Sequence, residues 1–268
     1  MNLLCCQRFG LTLTGLTLSY LLGCSPSPKA GDAPAWEPIF NGKDLSGWQM
    51  KLTGYPVGEN FAETFRVEEG KLVVRYDGYE QFDNTFGHIF YQENLSHYKL
   101  RLEYRFVGEQ VAGAPKWACR NRGIKFHAPD PARIPLDQGL LVAIELQLLG
   151  GNGADPRSTG NVCTAGTHIE MGDSLVTEHC TPANSPTFHG DQWVQVELEV
   201  HGSDTVIHRI NGEEVLRYQR PQLDEQDAFA RELMAEGQPR LLEDGYIALQ
   251  AEGHPVEFRN IELMRLPE

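Results

Sequence analysis

The sequence is short of positive charge and lacks the signature motifs of several enzyme classes. Its 268 residues contain 23 Lys and Arg against 37 Asp and Glu, which gives a formal net charge of −14 at pH 7. A chain this acidic has no basic surplus to attract nucleic acid, so we expect no nucleic-acid partner. It also contains no Gly-x-Ser-x-Gly elbow and no phosphate-binding loop, which argues against serine hydrolase and nucleotide chemistry.

Long apolar runs are also missing, apart from one near the start. Arg8 precedes an uncharged run over 9–22, and the first acidic residue is Asp32. The run is shorter than the roughly 20 residues of a membrane-spanning helix and is interrupted by threonines, so it predicts a secretory signal peptide. Its end, Leu-Leu-Gly-Cys over 21–24, resembles the lipobox of bacterial lipoproteins.

We therefore expect residues 1–23 to be removed and Cys24 to be lipidated. Residues 24–35 are rich in Pro, Ala and Gly and are predicted to form a flexible tether. Ser25 differs from the aspartate that commonly retains lipoproteins at the inner membrane. This favours a lipid-anchored position in the cell envelope, at the outer membrane. An ordinary signal peptide with an incidental cysteine is the alternative.

Cysteines are few in the part predicted to fold, residues 36–268. Only Cys119, Cys163 and Cys180 remain there. In an oxidising compartment Cys163 and Cys180 could form a disulfide, worth about 3 kcal/mol by loop closure. Metal binding by these thiols is the alternative, but no two of them have the short spacing of a zinc knuckle.

Period-two alternation dominates the same part of the chain. Residues 98–106 and 194–200 both place apolar side chains on one face and charged ones on the other, as half-buried antiparallel strands do. Asn211-Gly212 is a strong hairpin signal, and Glu69-Gly70 joins two further strands. Other strands are predicted over 88–91, 123–127, 141–148, 246–251 and 256–266.

These strands predict an all-β fold, a sandwich of two antiparallel sheets. One segment differs, because 224–236 is rich in Ala, Glu and Leu and predicts a short surface helix capped by Asp224 or Asp227. The segments 150–160 and 173–190 are long enough to be functional loops.

The strand over 141–149 carries the most suggestive polar residues. Alternation turns its aliphatic residues to the core and leaves Ala143, Glu145 and Gln147 on the other face, where a groove could lie. On 119–127, Lys125 and His127 are likewise expected to share one outward face. An ordinary solvated face is the simpler interpretation of both patterns.

Several motifs resemble the 3-keto-disaccharide hydrolase family, long known only as a domain of unknown function. The resemblance spans about residues 36–266, and its most specific part is the closing stretch 245–261. The other matching motifs are Phe-Asn-Gly-Lys-Asp-Leu-Ser-Gly-Trp at 40–48, Asn-Arg-Gly-Ile at 121–124, Ile-Glu-Leu-Gln at 144–147 and Gly-Asp-Gln-Trp at 190–193.

The resemblance implies a concanavalin-like jelly roll that cleaves glycosides already oxidised at the 3-hydroxyl, with a small carbohydrate as substrate. A ketone at C3 acidifies the hydrogen on C2, so a carboxylate base can remove it and expel the group at C1. Glu145 is the expected base. Lys125, His127 or a bound divalent cation would stabilise the enolate.

The remaining candidates would contact substrate. Gln147 and His168 are expected to orient hydroxyl groups. Arg122, Gln250 and Arg259 are further candidates, although Arg122 does not follow the family pattern and the other two could equally be buried structural residues. The competing hypothesis is a non-catalytic, lectin-like carbohydrate-binding module, since the fold alone does not establish catalysis. The sequence does not indicate an oligomeric state.

Overall fold

The computed structural model describes residues 34–268. The predicted signal peptide, the lipidation site Cys24 and most of the predicted tether lie outside the described residues. Within 34–268, no helix has the length and apolar character needed to cross a membrane.

The described chain folds into two antiparallel sheets, with strands numbered here in chain order. The seven-stranded sheet contains, in spatial order, β12 (Cys180–Thr181), β9 (Asn161–Ala165), β8 (Ala143–Leu149), β7 (Asn121–Ala128), β16 (Gly245–Ala251), β5 (Gly87–Leu95) and β2 (Trp48–Leu52).

The second sheet has ten strands and covers the inner face of the first. Its order is β11 (Ser174–Val176), β10 (Thr167–Met171), β15 (Glu213–Leu223), β14 (Thr205–Ile210), β13 (Val194–His201), β6 (His97–Phe106), β17 (Val256–Arg265), β4 (Lys71–Val74) and β3 (Phe65–Glu68), with β1 (Glu37–Pro38) paired to β17. The all-β sandwich of two antiparallel sheets that the strand pattern predicts, and the jelly roll that the family resemblance implies, are thereby confirmed.

The core lies between the sheets because each central strand turns its apolar residues inward. On β6 every second residue from Tyr98 to Phe106 is buried, and on β8 Ile144, Leu146 and Leu148 join the same cluster. Burying one such aliphatic side chain contributes about 1.5–3 kcal/mol. The alternating polar residues are thus left on the outer faces.

One short helix, α1 (Ala228–Ala235), packs outside the main core. Asp227 caps it, because its Oδ1 accepts a hydrogen bond of 2.9 Å from the Ala230 amide. The helix is shorter than the predicted 224–236. Its buried side chains Ala230 and Leu233 pack on Val142, which lies just before β8 and outside the central core.

The predicted loop 173–190 is more ordered than expected. It contains β11 and β12, and β12 pairs with β9 so that Cys180 lies opposite Cys163. The segment 150–160 contains no strand or helix and remains a loop.

Candidate functional site

Two neighbouring strands bring a base and a cation together on the outer face of the seven-stranded sheet. Lys125 on β7 and Glu145 on β8 are register partners, and Lys125 Nζ lies 2.6 Å from Glu145 Oε2. Their side chains are only 2% and 9% exposed. Removing one partner of such a buried pair typically costs about 3–5 kcal/mol, because the other charge is left buried and unpaired.

Gly123 provides the space in which the Glu145 carboxylate lies. A Cβ at this position would come within 2.5 Å of both Cγ and Cδ of Glu145. No side chain larger than hydrogen fits there without moving the carboxylate. This close approach accounts for the glycine of the Asn-Arg-Gly-Ile motif.

A pocket of about 500 Å³ opens above the pair. Trp117, which is 51% exposed, lies at its edge and stacks on Phe86, with ring centroids 6.0 Å apart and planes 6° from parallel. We call this the reaction pocket; besides Lys125, Glu145 and Trp117 it is lined by Asn121, Leu140, Gln147, Leu149, Arg157, Cys163, Ala165, His179, Cys180 and Glu252. Such a mixture of apolar walls and a few converging polar groups is typical of small-molecule sites.

An amide network holds one side of the reaction pocket. Gln147 Nε2 donates to Asn121 Oδ1 at 3.2 Å, and Asn161 Nδ2 donates to Gln147 Oε1 at 2.8 Å. Because its orientation is fixed by both neighbours, Gln147 can present its amide to a ligand at little entropic cost.

Glu252 is the residue that sequence reasoning missed. It follows the last residue of β16, is 3% exposed and lines the reaction pocket with Glu145. Burial and the nearby negative charge of Glu145 raise its pKa to about 8, against the opposing charges of Arg122 and Lys125. Glu252 is therefore a neutral carboxylic acid at pH 7, next to an ion-paired Glu145. Its place in the closing motif 245–261 was the one sequence signal that could have revealed it.

Arg122, a predicted substrate contact, lies on the opposite side of its strand. Its side chain is fully buried and does not line the reaction pocket. Its Nη2 donates to the Tyr76 hydroxyl at 3.0 Å, and the Gly253 amide donates to the same oxygen at 2.7 Å. Arg122 thus holds the turn after β16 through the Tyr76 hydroxyl, on the core side of the sheet. The reaction pocket lies on the other side.

His127 does not share the outward face of Lys125 as expected. A bulge shifts the pairing of β7 with β16, and His127 adopts a positive φ of 49°. Its Nε2 lies 3.2 Å from the carbonyl oxygen of Gly202, which belongs to the turn between β13 and β14. Burial lowers its pKa to about 4. The extra residue of the bulge broke the alternation on which the expectation rested.

Two further candidates lie in the ten-stranded sheet. His168 on β10 faces Asp224, with Nε2 3.3 Å from Oδ1. Arg259 on β17 places Nη2 2.6 Å from Glu103 Oε2, and its guanidinium lies 4.0 Å from the ring centre of Trp193. Neither lines the reaction pocket, so the structure does not bring them together with Glu145.

Gln250 lies on the outer face of β16 but outside the reaction pocket. It is 1% exposed, faces His88 across the strand pair, and its Oε1 has no hydrogen-bond partner within the described residues. Burial, together with the nearby charges of Lys125 and Lys51, lowers the pKa of His88 to about 3.

A disulfide forms one wall of the reaction pocket. Cys163 and Cys180 are joined across β9 and β12, with Cα atoms 4.1 Å apart. Cys163 is also the register partner of Glu145, so the bond anchors the strand beside the candidate base. Within the described residues, Cys119 is the one cysteine outside a disulfide.

The donor groups near Glu145 do not favour a metal ion. Over residues 34–268, no three His, Cys, Asp or Glu side chains come together as a metal site would require. The Lys125 ammonium occupies the position next to the Glu145 carboxylate that a cation would take.

Solved structures of other proteins resemble this chain. A crystal structure described as a candidate glycosyl hydrolase from Parabacteroides distasonis matches with a TM-score of 0.52 and 16% identity, covering 87% of this chain and all of the other. A Bacillus licheniformis β-glucanase matches with a TM-score of 0.48 and 10% identity, over 88% of this chain and 100% of that one. At 16% identity the likeness to the Parabacteroides structure concerns the fold alone. Curated proteins gave no significant match.

A family model also matches most of the chain. Residues 35–264 match the 3-keto-alpha-glucoside-1,2-lyase-like domain, which includes the Lys125–Glu145 pair, Gly123 and Glu252. The chain therefore belongs to the family of 3-keto-alpha-glucoside-1,2-lyase-like, or 3-keto-disaccharide hydrolase, domains.

Proposed function

We propose that this protein cleaves 3-keto-glycosides by elimination across C1 and C2, followed by addition of water. The observation that carries the proposal is the composition of the reaction pocket. A buried carboxylate paired with an ammonium group, Glu145 with Lys125, faces the same space as the neutral carboxylic acid Glu252. A base, an electrophile and an acid are the three groups that this elimination requires.

The first step uses the pair. A ketone at C3 makes the C2 hydrogen acidic, and Glu145 takes that proton as the C2–H bond breaks. The electron pair of that bond forms a C2=C3 double bond, and the π electrons of the ketone move to the C3 oxygen. The Lys125 ammonium stabilises the resulting negative charge on that oxygen. Because both side chains are buried, the attraction is stronger than it would be in water.

The second step uses Glu252. As the C1–O bond breaks and the C1=C2 double bond forms, the departing oxygen takes the proton of Glu252. Water then adds to the resulting enone: its hydroxyl bonds to C1, its other proton returns to Glu252, and the proton held by Glu145 returns to C2, which gives the hydrolysed sugar and restores both carboxyl groups. A positioned acid or base of this kind contributes roughly 10²- to 10⁴-fold in rate.

A non-catalytic sugar-binding module is the second candidate, and Trp117 is the observation that favours it. An exposed indole backed by Phe86 is a ready platform for a sugar ring. The other tryptophans do not extend this platform. Trp48 is buried, Trp36 lies against Arg101, and Trp193 lies against Arg105 and Arg259.

A comparison of two variants tests the proposal. Nitrophenyl glucoside and its 3-keto derivative are incubated with the wild-type protein, Glu145→Gln and the control Glu197→Gln. Glu197 is also an ion-paired glutamate, 3.0 Å from Arg209, but lies on the other sheet. We expect release of nitrophenol from the keto derivative alone, with a loss of about 10²-fold or more for Glu145→Gln and none for Glu197→Gln. Binding of both sugars without cleavage would establish the second candidate instead.

We also propose, from the lipobox-like residues 21–24, that the enzyme works from a lipid anchor in the cell envelope. An oxidising envelope compartment is consistent with the Cys163–Cys180 disulfide.

A further inference from the structure

The cation, the base and the acid of the reaction pocket follow one another along the seven-stranded sheet. Lys125 on β7 is the register partner of Ala248 on β16, and the Glu145 carboxylate lies over Gly123, two residues earlier on β7. Glu252 comes just after the end of β16, four residues beyond Ala248. Because β7 and β16 are antiparallel, all three groups follow one direction, in the order of C3, C2 and C1 in the substrate. The leaving group on C1 thus lies at the Glu252 end of the pocket.

Aromatic side chains lie at this end of the pocket. Gly87 on β5 and Ala251 on β16 are register partners, so the residues beside them, Phe86 and Glu252, lie opposite each other. Residues that face each other across two strands point to the same side of a sheet. Trp117 stacks on Phe86 and lines the reaction pocket together with Glu252. The acid is therefore flanked by an exposed indole.

Leu140 reaches the same place from the loop before β8. A Cβ on the preceding residue, Gly139, would lie 3.4 Å from the Phe86 ring, and Leu140 itself lines the reaction pocket. We call Phe86, Trp117 and Leu140 the apolar corner. Trp117 is 51% exposed and Leu140 is 45% exposed. Large apolar side chains that stay exposed together beside a cavity are typical of a surface that binds apolar groups.

Other polar side chains of the pocket are already engaged. Arg157 Nη1 donates to the carbonyl oxygens of Cys119 and Gly150, at 2.9 and 2.7 Å. His179 Nδ1 lies 2.8 Å from the carbonyl oxygen of Thr164. The apolar corner itself offers one side-chain hydrogen-bonding group, the indole N–H. A leaving group rich in hydroxyls would lose its contacts with water there and regain few hydrogen bonds, which disfavours its binding.

We propose that the reaction pocket selects 3-keto-glycosides whose leaving group is an apolar ring alcohol, aromatic or alicyclic, which stacks on Trp117 and packs against Leu140. The proposal rests on the function proposed above. Glu252 then gives its proton to the oxygen that joins this ring to C1, at the edge of the apolar corner. An apolar ring in this place removes the exposed faces of both side chains from water, which favours its binding.

Two substrates with leaving groups of similar basicity isolate the apolar contact. These are the methyl and cyclohexyl 3-keto-glucosides, and the wild-type kcat/KM should be about tenfold or more higher for the cyclohexyl compound. Trp117→Ala should lower this cyclohexyl-to-methyl ratio about tenfold, and Leu140→Gln should lower it as well. The control is Leu175→Gln, since Leu175 is 47% exposed but lies on β11 of the other sheet, and it should leave the ratio unchanged. A wild-type ratio near one, or a ratio that Trp117→Ala leaves unchanged, would overturn the proposal.

Binding to the full chain carrying Glu145→Gln gives a readout that does not depend on cleavage. In titration calorimetry the cyclohexyl 3-keto-glucoside should bind about tenfold more tightly than the methyl compound. Equal affinities, or binding of neither, would overturn the proposal. Cleavage of methyl 3-keto-glucoside by the wild type reports separately on the proposed function, so the two failures are distinguishable.

Discussion

At the scale of single residues, the site depends on one acid kept neutral beside another that is ion-paired. The same burial that raises the pKa of Glu252 to about 8 is what allows it to hold a proton at pH 7. Glu145 lies nearby but has the Lys125 ammonium 2.6 Å away. Two carboxyl groups in different surroundings can therefore take opposite roles in one reaction.

Because Glu252 is the acid and Glu145 the base, the rate of cleavage should depend on both the pH and the leaving group. With a 3-keto-glycoside of an alcohol, the wild-type rate should fall as pH rises through about 8, because Glu252 loses its proton. With this substrate the cleavage rate of Glu252→Gln should be about 10²-fold or more below that of the wild type. With a nitrophenyl 3-keto-glycoside, whose leaving group needs no proton, the variant should keep most of its rate. A variant equally slow with both leaving groups would contradict the role of Glu252 as an acid.

Gly123 gives a second prediction at this scale. Gly123→Ala should cost about 1–3 kcal/mol of stability through overpacking and should also lower kcat, since the new methyl group occupies the place of the Glu145 carboxylate. The control is Gly139→Ala, whose Cβ would come no closer than 3.4 Å to its nearest neighbour, Phe86. Urea unfolding and steady-state rates measure both effects, and the same result for both variants would argue against the steric explanation.

At the scale of strands and turns, alternation in the sequence was enough to predict most of the sheet. The central strand β6 and the Asn211-Gly212 hairpin follow directly, and both turn residues have the positive φ that this hairpin needs. The strands β2, β9 and β10, of five residues each, and the shorter β11 and β12 were missed because so few residues display a period of two only weakly or not at all. Their position depends on pairing with distant strands, which the local sequence does not encode.

The candidate site was only partly predictable, because part of it also depends on pairing between strands that are distant in sequence. Alternation correctly turned Glu145 and Gln147 away from the core, and the motif resemblance singled them out. The contact of Lys125 with Glu145 depends on the register of two strands, and Glu252 lies beyond the end of its strand, where no alternation applies. His127 was misplaced because a bulge cannot be recognised from period two alone.

At the scale of the whole molecule, four buried histidines link stability to pH. Burial lowers the pKa of His88 and His254 to about 3 and of His127 and His208 to about 4. The unfolded chain binds protons at these positions below about pH 6.5, whereas the folded chain does not, so their contribution to stability is present above pH 6.5 and is lost as pH falls. Glu252 acts in the opposite sense, and its contribution is lost as pH rises from 4.5 to about 8.

We therefore expect the free energy of unfolding to peak near pH 6.5 and to fall steeply below it, by on the order of 1–2 kcal/mol per buried histidine at pH 5. Urea unfolding between pH 5 and 8 measures this. His88→Gln should flatten the acid side of the profile, while His189→Gln, at an exposed position, should leave it unchanged. A stability profile without slope below pH 6.5 would show that the histidines remain accessible to protons.

The central strand β8 separates two tasks by the direction of its side chains. On β8, Ile144, Leu146 and Leu148 maintain the fold, while Glu145 and Gln147, turned the other way, face the ligand space. Apart from Gly123 and the Lys125–Glu145 pair, selection for a new sugar can therefore act on the outward residues without disturbing the interior. A directed-evolution library restricted to those positions would sample specificity while sparing foldability.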